Sequence, residues 1–121
     1  MRIFKNTWFN RFAAKEDITD SELKEAVDQL EKGQVDADLG GNVYKMRIAR
    51  SGEGKSGGYR VVLFFKSEER SFFVYAFPKS DRDNIDEGEL RAFKADAKIT
   101  LALTEKQIED RIRKRTLIEV L

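Results

Sequence analysis

A chain of 121 residues with no histidine and no cysteine is sized for one domain spanning residues 1–121. It is denied Ser-His-Asp triads, thiolate nucleophiles, disulfides and the usual imidazole or thiolate metal sites. Hydrophobic residues make up 40% and charged residues 37%, which is enough apolar content for a core beneath a densely charged surface. The net charge of +1 conceals segregation: residues 16–38 hold nine acids against two bases, whereas residues 39–79 hold eight bases against three acids. No apolar run approaches the ~20 residues of a membrane helix, and residues 1–9 lack a signal-peptide core. A cytoplasmic protein with no membrane contact and no cofactor or metal is expected.

Residues 2–4 suit a short strand, and Asn6 or Thr7 suits the cap of a short helix carrying Trp8, Phe9, Phe12 and Ala13. Thr19 and Glu22 have capping-box spacing. Leu23, Ala26, Val27 and Leu30 follow at i, i+3, i+4 and i+7, one stripe of a helix that Gly33 can stop. Residues 34–42 read as loop. The period then becomes two: Tyr44, Met46 and Ile48 share one face of a strand over 43–49, and Lys45 and Arg47 share the other. Residues 50–58 read as a glycine-rich loop carrying Lys55. The run 59–65 is almost wholly apolar, as suits a central strand buried on both faces, with Arg60 at its start. A third strand over 71–77 ends at Pro78, the only proline. Asp86 suits the cap of a helix with Leu90, Phe93, Ala97 and Leu101 inward. Thr104 and Gln107 form a second capping box before Ile108 and Ile112, and residues 117–121 read as an apolar tail. The prediction is an α+β fold: two N-terminal helices, a small antiparallel sheet of about four strands, and C-terminal helices.

The chemistry is concentrated in residues 40–65, GGNVYKMRIARSGEGKSGGYRVVLFF. Gly54-Lys55-Ser56 resembles the end of a phosphate-binding P-loop. That motif needs glycine where Ala49 stands, and a helix where a strand is predicted. The alternation offers a better reading. Lys45 and Arg47 project from one strand, Lys55 sits in the following loop, Arg60 starts the next strand, and Lys79 and Arg82 follow the third. Such cations, with Arg50, repel one another unless anions fill the cluster. Backbone phosphates of RNA would do so, gripped in bidentate fashion by arginine and as point charges by lysine. Tyr75 and Phe77 are either core or a stacking surface for a base.

On these residues the chain resembles the RelE/HigB superfamily of bacterial type II toxins. The order GG-x-V-Y-K-x-R, then GxGKSGGYR, strand, strand and lysine is closest to the HigB-like branch, over about residues 1–100. The resemblance implies a microbial-RNase-like α+β domain that cleaves mRNA on the translating ribosome and is neutralised by a cognate antitoxin, often a helix-turn-helix protein. It supports Lys45, Arg47, Lys55, Arg60 and Lys79. Where many relatives place an arginine after that last lysine this chain has Ser80, with Arg82 the nearest cation to stand in. Where some place a catalytic tyrosine it has Ile85-Asp86. Cleavage would proceed by attack of the 2′-hydroxyl, without metal. Lys45 or Lys55 would be the base, Arg60 and Lys79 would neutralise transition-state charge, and Arg47, Arg50, Arg82, Tyr75 and Phe77 would bind RNA. The competing reading is a non-catalytic RNA- or ribosome-binding module of the same fold.

Overall fold

The computed structural model of the chain describes residues 1–50, 54–82 and 84–121; the side chains of Arg50 and of residues 54–57 lie outside that description. Helix starts are set by side chains that accept from otherwise unpaired backbone amides. Asn6 Oδ1 accepts from Phe9 N at 2.7 Å and opens α1 (Thr7–Lys15). Thr19 and Glu22 form the predicted capping box of α2 (Asp20–Glu31), and Gly33 follows it in the left-handed region with φ +79°. Asp86 caps α3 (Glu87–Thr100) as expected and, with Glu89, completes a full capping box. Thr104 and Gln107 open α4 (Glu105–Arg113).

The described strands are β1 (Arg2–Asn6), β2 (Ala37–Gly40), β3 (Val43–Arg50), β4 (Gly54–Lys66), β5 (Arg70–Pro78) and β6 (Leu117–Val120). They form one six-stranded sheet in the order β2-β3-β4-β5-β1-β6. This corrects the expectation of about four antiparallel strands. The β3-β4-β5 meander is antiparallel as predicted, but β1 lies parallel to β5, with Phe4 opposite Phe72, and antiparallel to β6, with Ile3 opposite Val120. Part of the predicted loop 34–42 is edge strand β2, and the apolar tail is strand β6. Gly54–Gly58, predicted as loop, extends β4, so a strand stands where a P-loop would need a helix.

The sheet separates two cores. On one face, Phe9 and Ala13 of α1 and Leu23, Ala26, Val27 and Leu30 of α2 cover Met46, Ile48, Val61, Leu63 and Phe73. On the other, Ala97 of α3 and Ile108 of α4 cover Val62, Phe64, Phe72, Val74 and Phe77. β4 is the shared wall: Val61, Val62, Leu63, Phe64 and Phe65 are all buried, as its unbroken apolar run foretold.

One charge sits inside the first core. Lys5 on β1 is buried, and its Nζ meets Asp20 Oδ1 at the start of α2 at 3.0 Å. Asp20→Ala strands that ammonium and is expected to cost about 1–3 kcal/mol. Lys5→Met removes the charge, keeps the apolar stem, and should cost less. Urea denaturation of the two variants checks the order.

Candidate functional site

Strand register decides which predicted residues meet. Arg47 on β3 lies opposite Arg60 on β4, which lies opposite Phe77 on β5; one row along, Lys45, Val62 and Tyr75 line up. Paired residues share a face, so Lys45, Arg47 and Arg60 emerge together on the α3/α4 side, at the end of the sheet where β4 begins. Simple alternation from Phe73, which faces α1, would have sent Tyr75 to the α1/α2 side. A bulge intervenes: Val62 pairs with Tyr75 but Leu63 pairs with Phe73, leaving Val74 as an extra residue. The alternation is thereby inverted, so Tyr75 and Phe77 join the cations and Ala76 turns to the first core.

Among the described residues the charge of the cluster is only partly compensated, by Asp36. Arg60 is half-buried, and its Nη1 is enclosed without a hydrogen-bond partner. Burial lowers the Lys45 pKa from the ordinary lysine value, and the neighbouring Arg60 and Arg47 charges lower it further; only Asp36 opposes them. Lys45 Nζ donates to Asn84 Oδ1 at 3.1 Å, and the same oxygen accepts from Ile85 N at 2.9 Å. Arg47 is exposed. Asp36 accepts its backbone amide at 2.6 Å but stands 3.8 Å from its Nε, a loose ion pair that leaves the guanidinium largely to solvent. Lys79 is exposed, and its backbone amide donates to Gly58 O at 3.1 Å, which holds it beside the start of β4. The side chains of Lys55 and Arg50, predicted as base and RNA ligand, lie outside the described residues, although their backbones belong to β4 and β3.

One predicted RNA contact, Phe77, is corrected, and a second, Arg82, has partners within the protein. Phe77 is 3% exposed and its ring carries the Arg82 guanidinium at 5.3 Å, so it has no face to offer a base. Arg82 is itself engaged: it pairs with Glu89 and its Nε donates to Asn84 O at 2.8 Å. It acts as a strut that orders Asn84, and Asn84 in turn holds Lys45. Tyr75 is half-buried among Trp8, Phe77 and Phe93, with ring centroids 4.8–6.1 Å away. The aromatic residue presented to solvent is Trp8, 43% exposed. Helical periodicity alone did not separate it from its inward neighbours. Among the described residues, no three carboxylates stand close enough together to hold a metal ion, and no helix is long and apolar enough to cross a membrane.

The Arg82 hydrogen bond holds the Glu89 carboxyl below the usual carboxylate range. Any stability this contributes is present above the unfolded-state pKa and fades as pH falls through the lower folded value. Arg82→Gln should return Glu89 toward its ordinary range in a carboxyl-carbon NMR titration.

The family model described as the RelE toxin of the RelE / RelB toxin-antitoxin system matches residues 1–120. No curated protein is similar enough to stand as a relative.

Proposed function

The chain belongs to the RelE toxin family, and on that premise we propose that it is a ribosome-dependent, metal-independent mRNA endoribonuclease that stops translation in the cytoplasm. A cognate antitoxin, of helix-turn-helix type, would neutralise it. The observation that carries the reading is Arg60 Nη1, enclosed and unpartnered beside Lys45 and Arg47. A buried guanidinium donor without an acceptor is costly to maintain. A phosphate oxygen supplies the missing acceptor, and supplies it best when charge grows in the transition state.

In the proposed step the 2′-oxygen attacks the adjacent phosphorus and the bond to the 5′-oxygen breaks. A 2′,3′-cyclic phosphate and a 5′-hydroxyl result. Lys45 is the base: a neutral amine can donate to Asn84 Oδ1 and still turn its lone pair to the 2′-hydroxyl proton. Arg60 and Lys79 neutralise the equatorial oxygens, and Arg47 holds a neighbouring phosphate. Lys55 belongs to the same basic segment and would add to the cluster. The 5′-oxygen takes its proton from water, and the ribosome supplies in-line alignment. The competing reading, a binding module without catalysis, draws on Ser80 and on Arg82, whose guanidinium is held by Glu89. Primer extension on a reporter mRNA in a translating extract separates the two: codon-spaced cuts support the nuclease, and binding without cuts supports the module.

Arg60→Ala should lower cleavage by roughly 10²–10³-fold and abolish growth arrest on induction at equal protein level. Lys45→Met should do the same. Because the neutral amine is the active form, the single-turnover rate should rise with pH, with an inflection below the ordinary lysine value of 10.5. Arg47→Gln removes one of the charges that lower it and should move the inflection upward. The chain has no histidine to place a transition near 6.5.

A further inference from the structure

Trp8 is the only tryptophan of the chain, and it is fixed in place while remaining 43% exposed. Its ring stacks on Phe12, one helical turn on, at 5.3 Å and 11°, and meets Tyr75 at 4.8 Å. The location follows from the sheet. Pairing of β1 with β5 stops at Lys5 and Phe73, and Asn6 Nδ2 donates to Val74 O at 3.0 Å. Tyr75 therefore runs past the end of its neighbour, and the first turn of α1 sets Trp8 beside it.

The same turn meets the connection from α4 to β6, where Thr7 Oγ1 donates to Arg115 O at 3.4 Å. Arg111 in the last turn of α4, Lys114 at its C-cap and Arg115 just beyond it, at φ +62°, stand there, and Arg11 follows Trp8 by three residues on α1; all four are exposed. None of them has an ion-pair partner among the described residues, whereas Arg2, Arg70 and Arg113 nearby are paired with Glu119, Glu105 and Asp110. The dipole of α4 accounts for cations in its last turn. It does not account for a large indole left in solvent next to them. Across the sheet β6 lies three strand spacings from β4, a lateral separation of roughly 14 Å, on the scale that a few nucleotides of extended RNA cover.

We propose that Trp8 with Arg11, Arg111, Lys114 and Arg115 forms a second RNA-binding surface that receives the single strand as it leaves the Arg60 cluster. A base packs on the part of the indole that Phe12 and Tyr75 leave exposed, and the flanking phosphates meet the four cations. Two aromatic neighbours already fix the ring, so little rotamer freedom is lost when a base arrives. The inference rests on the reading of the Arg60 cluster as an RNA site.

The test uses the full chain and a mixed-sequence 2′-O-methyl oligoribonucleotide, which lacks the attacking hydroxyl and so reports binding alone. Its addition should change Trp8 fluorescence. Trp8→Leu should weaken binding roughly ten- to a hundredfold and leave the salt dependence intact. The triple variant Arg111→Gln, Lys114→Gln, Arg115→Gln should reduce the slope of log K against log salt by about 2, at ~0.7 per phosphate contact. All three sites are exposed, so this variant tests the idea even if Trp8→Leu folds poorly. Oligonucleotide binding without a change in Trp8 fluorescence, or an unchanged slope in the triple variant, overturns the proposal. So does no binding by the wild type. Variants that bind RNA normally but escape the antitoxin also overturn it, and would mark the surface as a protein interface. Failure of the nuclease reading is distinct: it would appear as an absence of reporter mRNA cuts by the wild-type chain, whatever the oligonucleotide does.

Discussion

The extra residue at Val74 governs where the chemistry can be. Upstream of it β5 sends Phe73 to the α1/α2 core; downstream the alternation is inverted, so Ala76 takes that side while Tyr75 and Phe77 face the other. Were the strand regular, the two aromatic rings would crowd against Met46, Tyr59 and Val61, and an alanine would stand where Phe77 now supports Arg82. The strut from Arg82 through Asn84 to Lys45 would then have no floor. One unpaired residue thus couples the packing of both cores to the orientation of a lysine on a strand two places away.

The charges on the protein surface divide into two kinds. At one end of the molecule cations are matched: Arg2 reaches Glu105, Glu109 and Glu119, and Arg70 reaches Glu105. These pairs fasten α4 and β6 to the sheet. At the other end Arg47 and Arg60 stand opposite each other, and among the described residues only Asp36 answers them, in a loose ion pair with Arg47. Unmatched charge on folded, well-packed strands costs stability and is therefore informative about what the surface meets. Burial lowers the Lys45 pKa first, and the charges of Arg60 and Arg47 lower it further, the same repulsion seen from the proton's side.

Signals confined to a few neighbouring residues were readable from the sequence. The boxes at Thr19 and Thr104 and the stripe from Leu23 to Leu30 involve no distant partner, and each stands as expected. The burial of β4 on both faces was equally plain in its composition. Features that depend on remote pairing were not: β2 and β6 are four residues long, too short to show a period, and β1 becomes parallel only because β5 comes to lie beside it. Gly54–Gly58 looks like loop by composition yet is strand by pairing. In the site, the convergence of Lys45, Arg47 and Arg60 followed from alternation within single strands. The inverted register of β5 and the outward turn of Trp8 did not, since both arise where elements meet.

The place of β1 bears on when the protein becomes whole. It is clasped between β5 and β6, and Arg2 grips Glu119 across 117 positions of the chain. The meander can form among its own near neighbours, but β1 cannot be enclosed until residue 120 exists. Long loops must close before those contacts form. Trp8 and the first turn of α1 hang from the end of β1, so the aromatic flank of the site depends on the pairing of β1 with β5. A chain whose β1 has not yet docked can carry the basic cluster on an ordered meander and yet lack the ring beside Tyr75, so the aromatic flank reports the long-range closure of β1 onto β5 rather than the folding of the meander itself.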